Sequence, residues 1–388
     1  MKNIFFYSST NMHNMYTPML ANVPEGFRYK KEEFLAMPMR SNNLAKSFFE
    51  KVIWKISPYY NYFKVLQGNP KIRKFYIENY DLIHSTQSLL ETNLPYVVDF
   101  EHAAVFSGYN QIAFSNEKFI KNLKKILENR KLKKLLPFTN AAKMSLLNFV
   151  KSKEIEEKTE VVYLFITPPK KIKKKDDRII KFLFIGKAFF EKGGLETLEA
   201  FNRISLKYDV ELTLVSNAPE DIKIKYEKNA KIKIMKQLPD SEVQKLYEES
   251  NVFVFPTHYD TVGFVILEAM SYGLPIITDN SFSRPEIVEN EKTGLLINAY
   301  YSSFGKNYGY LYPTSSELSR KRKEACMHPP EWYVNDLSKA MERFVLDSEL
   351  RNKCSKNARK ECTEGKFSPK VWKEKIKKIY TEAGGWAP

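Results

Sequence analysis

Asp260 and Glu268 are two carboxylates with seven residues between them, and they bracket the turn Thr261-Val262-Gly263. A turn of this kind that opens a helix presents free backbone N–H groups and the positive end of the helix dipole to an anion. Two cations, Lys187 and Lys192, stand upstream in a second glycine-containing turn, Glu191-Lys192-Gly193-Gly194. A third group, His102, closes the strand-like run Val97-Val98-Asp99-Phe100-Glu101. Together these side chains offer anion binding, charge neutralisation and hydrogen bonding. A plainer reading also stands: an ordinary βαβ unit with solvated acids and lysines, and a histidine that only caps a loop.

The elements that must position them follow from pattern. Val252 to Phe255 is an apolar run closed by Pro256, as in a buried parallel strand. Ile266, Leu267, Ala269 and Met270 then point one face of a helix toward a core, and Gly273 and Pro275 stop it. Residues 274–278 make the next strand. The acidic turn therefore sits at the carboxyl end of a strand and the amino end of a helix, where open α/β sheets bind ligands. Residues 182–185 form a similar strand leading to Lys187, with a helix over 195–204 after Gly194.

The stretch 251–280 resembles the retaining GT-B-fold nucleotide-sugar glycosyltransferases of the "glycosyl transferases group 1" family. That family's signature is two acids separated by seven residues, a Gly-rich turn after the first, then Glu-Ala-Met and Gly-x-Pro. Glu268-Ala269-Met270 and Gly273-Leu274-Pro275 match as written, Asp260 stands where Glu is usual, and Thr261-Val262-Gly263 replaces Gly-Phe-Gly. The strand before Gly186-Lys187 and the Lys192-Gly193 turn extend the match, as do Pro285 to Val288 with Lys292 to Leu296, which resemble the family's last strands, with Gly294 read as a turn residue. The resemblance implies that Glu268 binds the donor's ribose, that Val262 and Gly263 N–H groups hold its phosphate and sugar, and that Asp260 reaches the sugar hydroxyls. Lys187, in place of the usual Arg, and Lys192 would neutralise the departing diphosphate. His102 would bond the sugar or position the acceptor, with His84 and His258 as weaker rivals. The expected catalytic residues are therefore His102, Asp260 and Lys192, and the donor-binding residues are Lys187, Lys192, Thr261, Val262, Gly263 and Glu268. No Asp-x-Asp lies at a suitable strand end, so no obligatory metal or other cofactor is expected.

The chain has 388 residues, which suits two domains rather than one core. The resemblance implies an α/β architecture of two Rossmann-like domains facing each other across a cleft, with a C-terminal helix crossing back to the first. The expected boundaries are 1–170 plus 369–388 for the acceptor domain and 178–366 for the donor domain, with an insertion over about 299–330. Strands are expected over 2–7, 82–84, 96–101, 132–138 and 159–168, then 210–216 and 231–235, with a charged linker at 170–177. Ser8-Ser9-Thr10 stands where the family often has a Gly-Gly loop. The insertion carries Tyr300, Tyr301, Tyr308, Tyr310 and Tyr312 and the basic run Arg320 to Lys323. It suits sugar stacking or a partner surface, or is an ordered insertion with no chemical role.

Charge is uneven. Residues 1–175 hold 29 Lys+Arg against 15 Asp+Glu, whereas the remainder is nearly balanced at 33 against 31. The helix near 116–129 carries Phe119, Leu123, Ile126 and Leu127 on one face, with Lys121, Lys124 and Lys125 around it. Such a helix either lies on an anionic membrane surface or packs its stripe on a sheet. The cations accompany no nucleic-acid motif, so nucleic acid is not expected as a partner. Three cysteines build no disulfide framework and point to a reducing compartment. No run of apolar residues is long enough to span a bilayer. The expectation is a cytoplasmic enzyme, at the inner face of the cell membrane if the helix binds there. It would transfer sugar from a nucleotide-diphosphate donor to a glycan or lipid-linked glycan hydroxyl. A non-catalytic sugar-binding scaffold and a sugar-nucleotide epimerase remain open.

Overall fold

The computed structural model describes residues 1–8, 14–29, 65, 67–172, 177–312 and 315–387. Ser9 and Thr10, most of the segment after the first strand, and much of the basic linker lie outside the described residues. The chain divides into two compact units. One comprises Met1–Leu164, Gly305–Leu318 and Lys370–Pro388, and the other Phe165–Phe304 and Ser319–Pro369. Residues 305–318, expected within the donor domain as part of the insertion, thus cluster with the first unit.

The first unit is built on β1 (Lys2–Ser8), β2 (Phe27–Tyr29), β4 (Leu82–Thr86), β6 (Tyr96–Phe100) and β7 (Leu132–Pro137). They pair in parallel in the order β2-β1-β4-β6-β7, and two further short strands, β3 (Ile72–Lys74) and β5 (Leu89–Glu91), pair separately. Every residue of β4 and β6 is buried. That is the signature of strands covered on both faces, so polar His84, Ser85, Thr86 and Asp99 are buried there along with the apolar residues. The helix Glu117–Leu127 is capped by the Asn116 side chain, which accepts from the Phe119 N–H. Its Phe119, Leu123 and Leu127 are fully buried in the core beside Leu132 and Val98. The apolar stripe is therefore spent on the sheet, worth about 1.5–3 kcal/mol per side chain. Only the lysine face is left for a membrane surface. The terminal helix Pro369–Gly384 buries Trp372, Ile376, Ile379 and Tyr380 in the same unit.

Residues 159–168 do not form the expected strand. Thr159 makes one isolated bridge to Leu135, and Val162 bonds the Pro137 carbonyl, but no ladder continues. Val162, Leu164 and Phe165 are buried by packing instead, so apolar content without a paired neighbour mimics a strand in sequence.

The second unit carries β8 (Ile180–Ile185), β9 (Val210–Val215), β10 (Ile232–Met235), β11 (Val252–Val254), β12 (Ile276–Asp279) and β13 (Gly294–Ile297). All pair in parallel in the order β10-β9-β8-β11-β12-β13. Chain order reverses between β8 and β11, which makes the carboxyl ends of these two neighbours the topological switch point. Two local expectations need correction. Arg284–Ile287 is a short helix, started by Pro285, and not a strand. Gly294 opens β13 rather than a turn, and it is glycine because a Cβ would collide with the Ile276 carbonyl on β12.

Candidate active site

The loops that leave β8 and β11 meet at the switch point. After β8, the chain reaches Lys187, whose side chain is exposed, and then turns at Gly193, where φ is 84°. A Cβ at Gly193 would overlap the Pro256 main chain just after β11, so only glycine lets the two loops approach so closely. This approach delivers Lys192 to Asp260: its Nζ donates to Oδ2 at 2.7 Å and to the Tyr259 carbonyl at 2.6 Å. The two expected catalytic groups are thus an ion pair, each about one-fifth exposed.

Asp260 Oδ1 accepts from the Gly263 N–H at 2.7 Å, an Asx-type turn that fixes the start of the helix Phe264–Ser271. Gly263 takes φ 72°, which a side chain would strain. Burial pushes the Asp260 carboxyl up. The Lys192 charge and hydrogen bond, the Arg284 charge and the Gly263 N–H outweigh it, and the carboxyl is held below its usual value. Two expectations change here. The Gly263 N–H is not free for a ligand, because Asp260 holds it. Lys192 is not a free cation, because Asp260 compensates it. Among the described residues no group accepts from the N–H of Val262, a buried residue just before the helix.

Glu268 lies one turn further along that helix. Its Oε2 accepts from the Tyr247 hydroxyl at 3.1 Å. Burial raises its pKa, the Tyr247 bond opposes, and the Asp240 charge adds to the rise. Thr261 is buried, and its carbonyl accepts from Ser283 Oγ at 2.6 Å.

Sequence reasoning missed Arg284. It is 1% exposed, and its Nε donates to Asp279 Oδ1 at 2.8 Å. Nη1 donates to the Asp260 carbonyl at 3.1 Å and Nη2 to Ser281 Oγ. Asp279 ends β12, so this buried pair anchors the acidic turn to the neighbouring strand. The available signal was an Arg five residues after an Asp that closes an apolar strand. His258 was also underestimated. It is buried, its Nε2 lies 2.6 Å from Glu196 Oε1, and that carboxylate accepts from the Tyr300 hydroxyl at 2.7 Å. The first residues of the insertion therefore brace the unit's core.

His102 lies in the first unit, 1% exposed, as the cap of a short 3-10 turn, Ala103–Ser107. The Ala104 N–H donates to Nδ1 at 3.0 Å, and Nε2 lies 2.7 Å from the Tyr308 carbonyl. An N–H can only donate and a carbonyl can only accept, so the imidazole is neutral with its proton on Nε2. The Tyr310 ring lies against it at 4.5 Å. Burial lowers the pKa to about 4, and the Tyr308 bond opposes. Glu101 accepts from the Tyr109 hydroxyl at 2.6 Å. The weaker candidate His84 is buried between Asp99 at 3.1 Å and the Tyr380 hydroxyl at 2.6 Å, tying the terminal helix to the sheet.

Residues 166–304 match the family model described as "Glycosyl transferases group 1". Over nearly all of its length the chain is similar in structure to WaaG, a glycosyltransferase involved in lipopolysaccharide biosynthesis. The TM-score is 0.56 and identity 13%, covering 96% of this chain and 99% of that one. The fold is GT-B. A second structure, HepE from Anabaena in complex with UDP and glucose, gives TM-score 0.56 at 13% identity over 98% of this chain and all of that one. In sequence, the capsular polysaccharide biosynthesis glycosyltransferase CapM of Staphylococcus aureus is 24% identical over 204 residues, 51% of this chain and 44% of CapM. The chain spans less than half the length of the curated relatives it matches. The family-matched segment of the GT-B chain contains Lys187, Lys192, the acidic turn, Glu268 and Arg284. His102 falls outside it. Among the described residues no group of three or more His, Cys, Asp or Glu is placed to hold a metal, and no helix is long and apolar enough to cross a membrane.

Proposed function

We propose that this protein transfers a sugar from a nucleotide-diphosphate sugar to an acceptor hydroxyl with retention of configuration. The observation that supports this most is the meeting of Lys192 and Asp260 at the switch point, directly before the helix Phe264–Ser271. In this reading Glu268 takes the ribose hydroxyls and Asp260, held ionised by Lys192, takes the sugar hydroxyls. The Val262 N–H, the helix dipole and exposed Lys187 meet the diphosphate. As the glycosyl bond breaks, its electron pair leaves with the phosphate oxygen; the acceptor oxygen bonds to the anomeric carbon on that same face, and its proton passes to the departing phosphate oxygen. These groups supply the charge stabilisation, so the reading requires no metal.

In this reading His102 helps position the acceptor, its Nε2 proton being held by the Tyr308 carbonyl. The acceptor is proposed as a glycan or lipid-linked glycan. The exposed lysines of the helix Glu117–Leu127 support work at an anionic membrane surface, on its cytoplasmic side.

The test is thermal unfolding with a panel of nucleoside diphosphates and their sugars, on wild type and Glu268→Ala. A ligand at about 100 times its dissociation constant adds roughly 2.7 kcal/mol of stability. A selective shift in wild type, absent in Glu268→Ala, is expected. No shift with any donor in folded wild type sinks the reading.

A further inference from the structure

The insertion places one cation at the site that the family signature does not include. Helix Ser315–Cys326 carries Arg320, Lys321, Arg322 and Lys323. Arg320 pairs with Glu324 at 2.8 Å, and Lys321 reaches the same carboxylate at 3.6 Å. Arg322 is different. Its guanidinium carbon lies 3.8 Å from the centre of the Tyr259 ring. Among the described residues it makes no ion pair or hydrogen bond, and its Nε is buried without a partner.

Tyr259 is the residue before Asp260, and its carbonyl receives Lys192. Its ring is parallel to that of Phe304, which in turn stacks on Phe282 at 3.9 Å. Phe282 holds a strained φ of 51° in the loop that bonds the acidic turn through Ser283 and Arg284. The aromatic stack is thus tied to the site on both sides. A guanidinium lying over a ring keeps its N–H groups in its own plane, so the ring holds it while the donor fork stays open.

We propose that Arg322 is a specificity-determining donor-site residue that clasps the diphosphate of the nucleotide sugar. This rests on the donor reading above. The charge balance favours it: Lys192 is cancelled by Asp260, so a dianionic diphosphate would otherwise meet a nearly neutral turn and the single exposed ammonium of Lys187. A bidentate fork from the insertion restores the planar recognition that a lysine at 187 lacks.

The test is calorimetric titration of uridine and guanosine diphosphates and the matching monophosphates into wild type, Arg322→Gln, Arg322→Lys and Glu268→Ala. Arg322→Gln is expected to weaken diphosphate binding roughly 10- to 100-fold, the effect of losing one or two charge-assisted hydrogen bonds. Monophosphate binding should change much less, and the salt dependence of diphosphate binding should flatten. Arg322→Lys should recover only part of the loss, and it carries the test if the Gln variant does not fold. Equal loss for monophosphate and diphosphate, or wild-type diphosphate affinity in Arg322→Gln or Arg322→Lys while Glu268→Ala has lost it, overturns the proposal and leaves the donor reading standing. A wild type that binds no diphosphate overturns both.

Discussion

Replacing Arg284 with Met should be the most damaging single change in the second unit that touches no proposed ligand. The guanidinium is 1% exposed and Asp279 fully buried, so their charges face little water. Met fills much of the volume but leaves the Asp279 carboxylate with only the Ser281 N–H at 2.9 Å and Oγ at 2.8 Å. A buried charge left without its partner costs about 3–5 kcal/mol. For a unit of this size that corresponds to a fall in Tm of roughly 6–20 °C. The acidic turn should loosen too, because the Asp260 carbonyl loses the donor that ties it to β12. Changing Asp279 to Asn in the same chain removes the stranded charge, so the double variant should recover most of the stability. Nucleotide binding should stay weak, since the tie to Asp260 is still missing. Denaturant and thermal unfolding of the four proteins, analysed as a double-mutant cycle, measure this directly. A loss below about 1 kcal/mol in Arg284→Met, or additive losses in the double variant, would refute the reasoning, because either would mean that the carboxylate is not stranded by removal of its partner.

Two further outcomes follow from burial elsewhere. His102 titrates at about 4 in the fold against an ordinary 6.5, so it favours the native state when neutral. Its contribution is complete above pH 6.5 and is lost as pH falls toward 4, by about 3 kcal/mol. Unfolding free energy measured over that window should slope less in His102→Gln, and an unchanged slope would show that His102 is not the titrating group. On the helix Glu117–Leu127, Leu123→Ala should cost about 2–5 kcal/mol of stability as a core truncation. Exchange of Lys121, Lys124 and Lys125 for Gln should spare stability but weaken sedimentation with anionic vesicles. Vesicle binding that follows Leu123 instead would mean that the apolar face does leave the core.

What was readable in the sequence is what is local in it. Asp260, Gly263 and Glu268 fall within one strand-turn-helix, where the period of apolar residues and the glycine fix their relation. The partners that give these groups their chemistry come from far along the chain, and no periodicity carries that information. Lys192 reaches Asp260 across 68 residues, and it does so because Gly193 admits the Pro256 main chain. Once paired, the lysine stops being the free cation its residue type suggested, and the Gly263 N–H stops being a free donor. The amphipathic helix Glu117–Leu127 shows the same limit from the other side. Pattern alone defines its apolar stripe, but whether a sheet or a membrane receives that stripe depends on β6 and β7 lying beneath it. Residues 159–168 have the composition of a strand and lack a neighbour in register, and a strand exists only as a pair. His102 illustrates the point most sharply: its strand-end position is legible, but both ring nitrogens are filled by groups the sequence does not connect to it, and the Tyr308 carbonyl comes from 206 residues away. The sequence period therefore locates the reactive side chains, and long-range closure decides their protonation, charge and availability.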